Sequence, residues 1–123
     1  TEILIINSFG VISKYFNYCE NIFIGKSFIK KMKTISGQNP IEAAKLGCKI
    51  FHGPYVYNFE EIYELLKSHG ITQKVNNDLE LSAEIIKNFE NPIIKNQKQI
   101  DFLNSYGDKI LKETALELNA YLK

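Results

Sequence analysis

The sequence has little net charge, few cysteines and no long apolar run. Fifteen basic residues face fourteen acidic ones among 123 residues, a formal net charge of +1. Such a chain has no global field that would attract nucleic acid or an anionic membrane, so we expect no nucleic-acid partner. A small anionic ligand is not excluded, because a few backbone N–H groups suffice to hold a phosphate.

Other absences narrow the class further. No apolar run approaches the roughly 18 residues that a membrane-spanning helix needs. The strand-like run close to Thr1 leads us to expect no signal peptide. The two cysteines, Cys19 and Cys48, stand among apolar neighbours, which favours buried thiols over a disulfide. His52 and His69 lie at no ligand spacing to either cysteine, so no metal site is expected.

Short β-branched runs alternate with helical patterns along the chain. The predicted strands are residues 3–6, 22–24, 49–52 and 71–75. Strands that are apolar on both faces and are each followed by a helix predict an α/β fold, a Rossmann-like parallel sheet flanked by helices. Residues 1–123 are expected to form a single domain. The predicted helices are residues 10–18, 41–46, 59–69, 79–89 and about 95–122.

Residue types at the helix ends support these boundaries. Asn39 with Glu42, Asn58 with Glu61, and Asn77 with Glu80 fit the N-cap and N3 positions of capping boxes. Gly47 and Gly70 follow the last helical residues, where a left-handed C′ position favours glycine. Pro92 is expected to close one helix, and Gly107 to bend or split the last one. That last helix is interpreted as packing on its own core, with another domain as the alternative.

One connection is much longer than the others. About fifteen residues, 25–39, separate the second predicted strand from the next helix, whereas such connections usually take two to six. They lead to a helix N-terminus at the carboxyl edge of the sheet, where open α/β folds bind ligands. Gly37 permits close backbone approach, and Gln38 and Asn39 can donate hydrogen bonds. Glu42 either caps its own helix or accepts hydrogen bonds from ribose hydroxyls; both interpretations stay open.

The same residues carry a family resemblance. Four short motifs follow one another along the chain: I-F-I-G-K-S at 22–27, S-G-Q-N-P-I-E-A-A-K-L-G at 36–47, G-P at 53–54 and N-F-x-E at 58–61. Together they resemble the donor-binding half of transferases of 3-deoxy-D-manno-octulosonic acid (Kdo). Those enzymes read G-G-S, then G-G-Q-N-P-x-E-A-A-x-x-G, then G-P-x-x-x-N-F-x-E. The match spans roughly residues 3–75.

The resemblance implies a partial C-terminal domain of a GT-B glycosyltransferase. Such an enzyme would transfer Kdo from CMP-Kdo to the lipid A precursor in lipopolysaccharide synthesis, at the cytoplasmic face of the bacterial inner membrane. It implies a CMP-sugar as donor substrate and no metal or other cofactor. The implied nucleotide-binding residues are Ser8, Gly10, Gly25, Ser27, Gly37, Gln38, Asn39 and Glu42.

The sequence departs from the family pattern at several positions. Lys26 and Ser36 each replace a glycine, which removes backbone freedom, and Val11 stands where the family has Glu. Lys30, Lys31 and Lys33 make the long connection basic. We interpret them as a solvated, charged tip, and attraction of a phosphate or of the anionic acceptor is the alternative. Two alternatives to the Kdo assignment stay open: a GT-B transferase with another nucleotide sugar, and a stand-alone α/β binding or regulatory module.

No complete acid/base pair stands out in the sequence. Glu60, Glu61 and Glu64 lie on one predicted helix and are interpreted as its exposed face. His52 follows a strand and is interpreted as a satisfied structural histidine, with a side chain that reaches the cleft as the alternative. In the resembled family, the acceptor site, the catalytic carboxylate and the membrane attachment belong to an N-terminal domain. The chain opens at Thr1, almost directly in a strand-like run. We therefore expect a fragment that lacks that domain, holds no catalytic residue and is inactive alone.

Overall fold

The protein is a small α/β domain with a three-stranded parallel sheet flanked by helices, here described from a computed structural model. Residues 3–8, 10–32, 34, 38–91 and 96–122 are described. The strands are β1 (Asn21–Ile24), β2 (Lys49–His52) and β3 (Thr72–Lys74), in the spatial order β1-β2-β3. In register, Ile24 lies beside His52, and His52 beside Lys74. The predicted parallel α/β class is confirmed.

The helices follow the predicted alternation. They are α1 (Ile12–Phe16), α2 (Ile41–Lys45), α3 (Glu60–Ser68), α4 (Asp78–Glu90) and α5 (Gln97–Leu122). Two short 3₁₀ helices, Gly25–Phe28 and Lys30–Met32, lie in the long connection between β1 and α2. Since α2 links β1 to β2 and α3 links β2 to β3, each parallel pair has its crossover helix.

The helix ends predicted at Gly47, Gly70 and Asn77 are confirmed, whereas the N-cap of α2 is Pro40 and not the predicted Asn39. The Oδ1 atom of Asn77 accepts from the Glu80 N–H at 2.8 Å, and Gly47 and Gly70 take left-handed φ values of 82° and 70°. The prediction for Asn58 is wrong. Helix α3 begins one residue later, with Phe59 as N-cap, a residue whose side chain has no hydrogen-bonding group.

The predicted first strand, residues 3–6, is wrong. These residues have no regular secondary structure, and Ile3 and Ile5 are 76% and 86% exposed. A β-branched run favours extended backbone, but a strand is stabilised mainly by ladder hydrogen bonds and by side chains packed on its neighbours. In the described residues the sheet therefore has three strands and not four.

The core lies where α2, α3 and the start of α5 cover the sheet. Its buried cluster is Ala43, Ala44, Cys48, Ile50, Leu66, Ile71 and Leu103. Gln99 joins α5 to this cluster, since its Nε2 donates to the carbonyls of Ala44 at 2.8 Å and Cys48 at 3.0 Å. Both cysteines are free, and the Cys48 thiol donates to the carbonyl of Cys19 at 3.1 Å.

Helix α5 extends well beyond the core. The predicted packing on its own domain holds for its first turns, where Gln99 and Leu103 are buried. After Leu103 every described residue is exposed, including the apolar Leu111, Leu118 and Tyr121. The helix runs through Gly107 without a break, so it is not split there. Pro92 and Lys95, named in the predicted boundaries, lie outside the described residues.

Replacing Gly53 by alanine should destabilise the domain. An added Cβ would lie 2.5 Å from Cδ2 of Phe28 and 2.6 Å from the carbonyl oxygen of Ser27. Since one of these neighbours is backbone, relief requires a chain shift, and we expect a loss of about 1–3 kcal/mol or more in the free energy of unfolding. Urea denaturation followed by circular dichroism measures it.

Gly107→Ala is the matched control for this glycine. Its Cβ would meet nothing within 4 Å, and alanine in a helix interior is favoured by about 0.5–1 kcal/mol over glycine. The control should be neutral to stabilising. Equal stability losses in the two variants would show that the packing at Gly53 is not special.

Candidate functional site

The long connection from β1 to α2 contains most of the predicted site residues. It leaves the sheet at the carboxyl end of β1 and returns at the start of α2. Ser36 and Gly37, together with Lys33, lie outside the described residues. Gly25, Ser27, Gln38 and Asn39 are described, and the structure assigns them to two different environments.

Three of these residues meet around one cavity. Gly25, Gln38 and Asn39 line a space of about 180 Å³ at the end of β1, and Lys26 joins them. The other lining residues are apolar and come from α1, β1 and the start of α2: Ile12, Phe16, Ile22, Phe23, Ile24, Pro40 and Ala43. An apolar wall with a few converging polar groups is the usual make-up of a small-molecule site. We call this space the β1-end cavity.

Asn39 has both a structural and a possible ligand-facing role. Its Oδ1 accepts from the Ile41 N–H at 3.0 Å, which caps the first turn of α2. The cap uses only this acceptor, so it does not require the Nδ2 donors of the same exposed amide. Helix α2 has only five residues, and so short a helix has a smaller macrodipole than a long one. Anion binding here would depend on individual donors and charges rather than on the helix.

Gln38 is held through its backbone. Its carbonyl accepts from the hydroxyl of Tyr63 at 3.0 Å, whereas the residue itself is exposed. Tyr63 belongs to α3 and is 2% exposed. The sequence does not mark Tyr63 as a site residue, because an aromatic residue on the apolar face of a helix has no signal that separates it from an ordinary core residue.

Ser27 lies beneath the surface. It is fully buried, its hydroxyl donates to the carbonyl of Ile24, and the same oxygen accepts from the Gly53 N–H at 2.7 Å. The Ser27 carbonyl in turn accepts from the Tyr55 N–H at 2.9 Å. These bonds join the first 3₁₀ helix to the segment after β2, so in this structure the Ser27 hydroxyl is engaged within the protein.

The remaining predicted residues lie apart from the lining of the cavity. Ser8 is exposed in the irregular segment 3–8, and Gly10, with φ of 75°, is exposed just before α1. Glu42 is exposed in the first turn of α2. The structure therefore brings Gly25, Gln38 and Asn39 together, and does not bring Ser8, Gly10 or Glu42 into the same wall.

The basic tip divides in a similar way. Lys30 and Lys31 are exposed on the second 3₁₀ helix, as expected for a solvated tip. Lys26 is half-buried and lines the β1-end cavity. Lys26, which stands where the resembled family has a glycine, thus supplies the cavity with a cationic group.

His52 is a structural histidine at the carboxyl end of β2. It is buried, its Nδ1 lies 2.7 Å from the Gly53 carbonyl, and its ring centroid lies 4.4 Å from that of Tyr63. Since a carbonyl only accepts, Nδ1 carries the proton. Burial lowers the pKa of His52, and the positive charge of Lys74 adds to this. Burial likewise raises the pKa of Tyr63, which therefore stays a hydrogen-bond donor at neutral pH.

The described chain also has concave surfaces outside the β1-end cavity. A groove of about 400 Å³ between α2, α3 and α5 is mainly apolar, with Lys45 and Glu61 as its charged lining. Glu60, Glu61 and Glu64 are exposed on α3, as predicted. Within residues 3–8, 10–32, 34, 38–91 and 96–122, no group of three or more His, Cys, Asp or Glu side chains is arranged to hold a metal ion.

Comparisons with known proteins assign no family. No protein-family model matches the chain, and no curated protein matches it. Of the helices in the described part of the chain, none combines the length and the apolar character needed to cross a membrane.

The buried His52 should make stability depend on pH. Because its folded-state pKa lies below the ordinary value of 6.5, the unfolded chain takes up a proton that the folded chain resists. The contribution of neutral His52 to the free energy of unfolding is therefore fully present above pH 6.5. It is lost as the pH falls toward the lowered pKa, with a slope of at most about 1.4 kcal/mol per pH unit.

His52→Asn isolates this effect from the other titrating groups. The asparagine Nδ2 can replace Nδ1 as donor to Gly53, but it does not titrate. Unfolding free energies of both proteins between about pH 7.5 and 5 give the difference. We expect the advantage of the wild type to shrink as pH falls, and a difference that is constant with pH would contradict the assignment.

Proposed function

We propose that this chain is the donor-binding part of a glycosyltransferase that transfers Kdo from CMP-Kdo to the lipid A precursor. The observation that carries the proposal is the β1-end cavity. Three residues of the motifs that resemble Kdo transferases, Gly25, Gln38 and Asn39, line this cavity together, although twelve residues separate Gly25 from Gln38. The α/β architecture and the position of the cavity at the carboxyl edge of a parallel sheet support the same proposal.

The chemistry of the cavity suits part of a nucleotide. Lys26 supplies a positive charge for a phosphate, and the amides of Gln38 and Asn39 supply donors. Phe16 and Phe23 give the wall the apolar surface on which a base or ribose packs. The volume of about 180 Å³ is smaller than the roughly 300 Å³ at which drug-sized ligand pockets begin. We therefore expect weak binding, in the millimolar range typical of a half-site.

The proposed enzyme activity belongs to a longer protein. In the resembled family, the catalytic carboxylate, the acceptor site and the membrane attachment lie in the N-terminal domain. On this proposal the chain contributes donor binding alone, with no catalytic residue and no metal. Location at the cytoplasmic face of the bacterial inner membrane is part of the proposal for the full protein.

A nucleotide titration followed by NMR tests the donor site. We expect the amide signals of Gly25, Gln38 and Asn39 to shift on addition of CMP, and to shift much less with UMP or AMP at equal concentration. Removal of the cavity's charge in Lys26→Gln should weaken CMP binding about 3- to 10-fold, which corresponds to the net value of one hydrogen bond, about 0.5–1.5 kcal/mol.

Lys112→Gln is the matched control, since Lys112 is an exposed lysine on the far part of α5. It should bind CMP like the wild type. A clear preference for UMP would replace the Kdo assignment by a transferase of another nucleotide sugar. If saturating CMP shifts none of the three amides, the chain is not a donor site.

A further inference from the structure

The hydroxyl of Tyr63 lies directly beneath the segment that enters the β1-end cavity. It donates to the Gln38 carbonyl at 3.0 Å, across 25 residues of sequence. Gln38 and Asn39 are exposed, whereas Tyr63 is almost completely buried. A buried side chain therefore holds the backbone of an exposed, cavity-lining segment.

Tyr63 is itself fixed from several sides. Its backbone N–H donates to the Phe59 carbonyl at 2.9 Å, and its own carbonyl accepts from the Thr72 hydroxyl at 3.0 Å. Its ring packs on that of His52, with centroids 4.4 Å apart. The ring itself is constrained by its packing on His52 at the end of β2, and the backbone of Tyr63 by the hydrogen bonds of helix α3.

The bond to Gln38 determines how the next residue is presented. A carbonyl held at 3.0 Å fixes the orientation of the peptide plane between Gln38 and Asn39, because that plane is rigid. The Asn39 N–H lies in this plane. The Asn39 side chain is attached to the next backbone atom, and its Oδ1 accepts from the Ile41 N–H. Without the bond, the segment would have to be ordered when a ligand binds, at a cost in affinity.

We propose that Tyr63 is a positioning residue, whose hydroxyl orders the Gln38–Asn39 segment for ligand binding in the β1-end cavity. This inference rests on the proposed function for the identity of the ligand, CMP. The ordering of the Gln38–Asn39 segment by the Tyr63 hydroxyl does not depend on the proposed function. Tyr63 touches no ligand in this scheme and acts through the Gln38 carbonyl.

Tyr63→Phe is the direct test, because it keeps the ring and removes only the hydroxyl. Thr72→Val is the matched control: it removes another buried hydroxyl, whose bond goes to the backbone carbonyl of Tyr63 and not to the Gln38–Asn39 segment. Each variant loses one hydrogen bond to a backbone carbonyl, and both bonds are 3.0 Å long. Thermal unfolding should show comparable, modest losses of stability for the two proteins.

Two further measurements separate positioning from general stability. The first is hydrogen exchange of the Ile41 amide without ligand, since this amide is bonded to Asn39 and reports the geometry of the segment. The second is the dissociation constant for CMP. We expect Tyr63→Phe to speed Ile41 exchange and to weaken CMP binding, each by about 3- to 10-fold. Thr72→Val should leave both close to the wild-type values.

Each outcome decides a different part of the inference. Wild-type CMP affinity in Tyr63→Phe overturns the positioning role, and equal effects in Thr72→Val reduce it to loss of stability. If the wild type itself fails to bind CMP, the proposed function fails. Ile41 exchange then still decides whether the hydroxyl orders the segment, and unchanged exchange in Tyr63→Phe overturns that too.

Discussion

The close approach of Ser27 to Gly53 is the contact on which the carboxyl edge of the sheet depends. A buried hydroxyl bonds at once to the Ile24 carbonyl and the Gly53 N–H, and there is no room for a Cβ at Gly53. The contact joins the segment after β1 to the segment after β2. Buried polar groups that leave a regular strand need such partners, since an unpaired one costs about 1–3 kcal/mol. The first 3₁₀ helix, which contains Ser27, directly follows β1, and Gly25 at its start lines the β1-end cavity.

A second tie, from Tyr63 to the Gln38 carbonyl, holds the other end of the same connection. The two contacts have different partners but the same type of hydrogen bond. In each, a hydroxyl on a buried, well-packed residue bonds to backbone that has left the regular elements. They fix the start and the end of a connection that is far longer than the usual two to six residues. The cavity lies between these fixed ends, where apolar strand and helix side chains meet a few polar groups.

Sequence patterns predicted most of the helices and strands, whereas the identity of the site stays a prediction. Strand β2 falls on residues 49–52 as predicted, and the cap at Asn77 is confirmed, because periodicity and capping act over a few neighbouring residues. Residues 3–6 have the same strand-like composition as β1, yet they form no strand, since pairing requires a partner that composition does not supply. At the proposed site, Gly25, Gln38 and Asn39 line one cavity. The burial of Ser27 and the role of Tyr63 were not predictable from local pattern.

The sequence by itself determined the alternation of strands and helices, the left-handed glycines at the ends of α2 and α3, and the single unusually long connection. Each follows from preferences of residues within one or two turns of each other. Only the tertiary structure decided which polar groups of that connection face inward. The bonds of Ser27 to Gly53 and of Tyr63 to Gln38 span 26 and 25 residues. Contacts of that range exist only once the sheet has brought the carboxyl ends of β1 and β2 side by side.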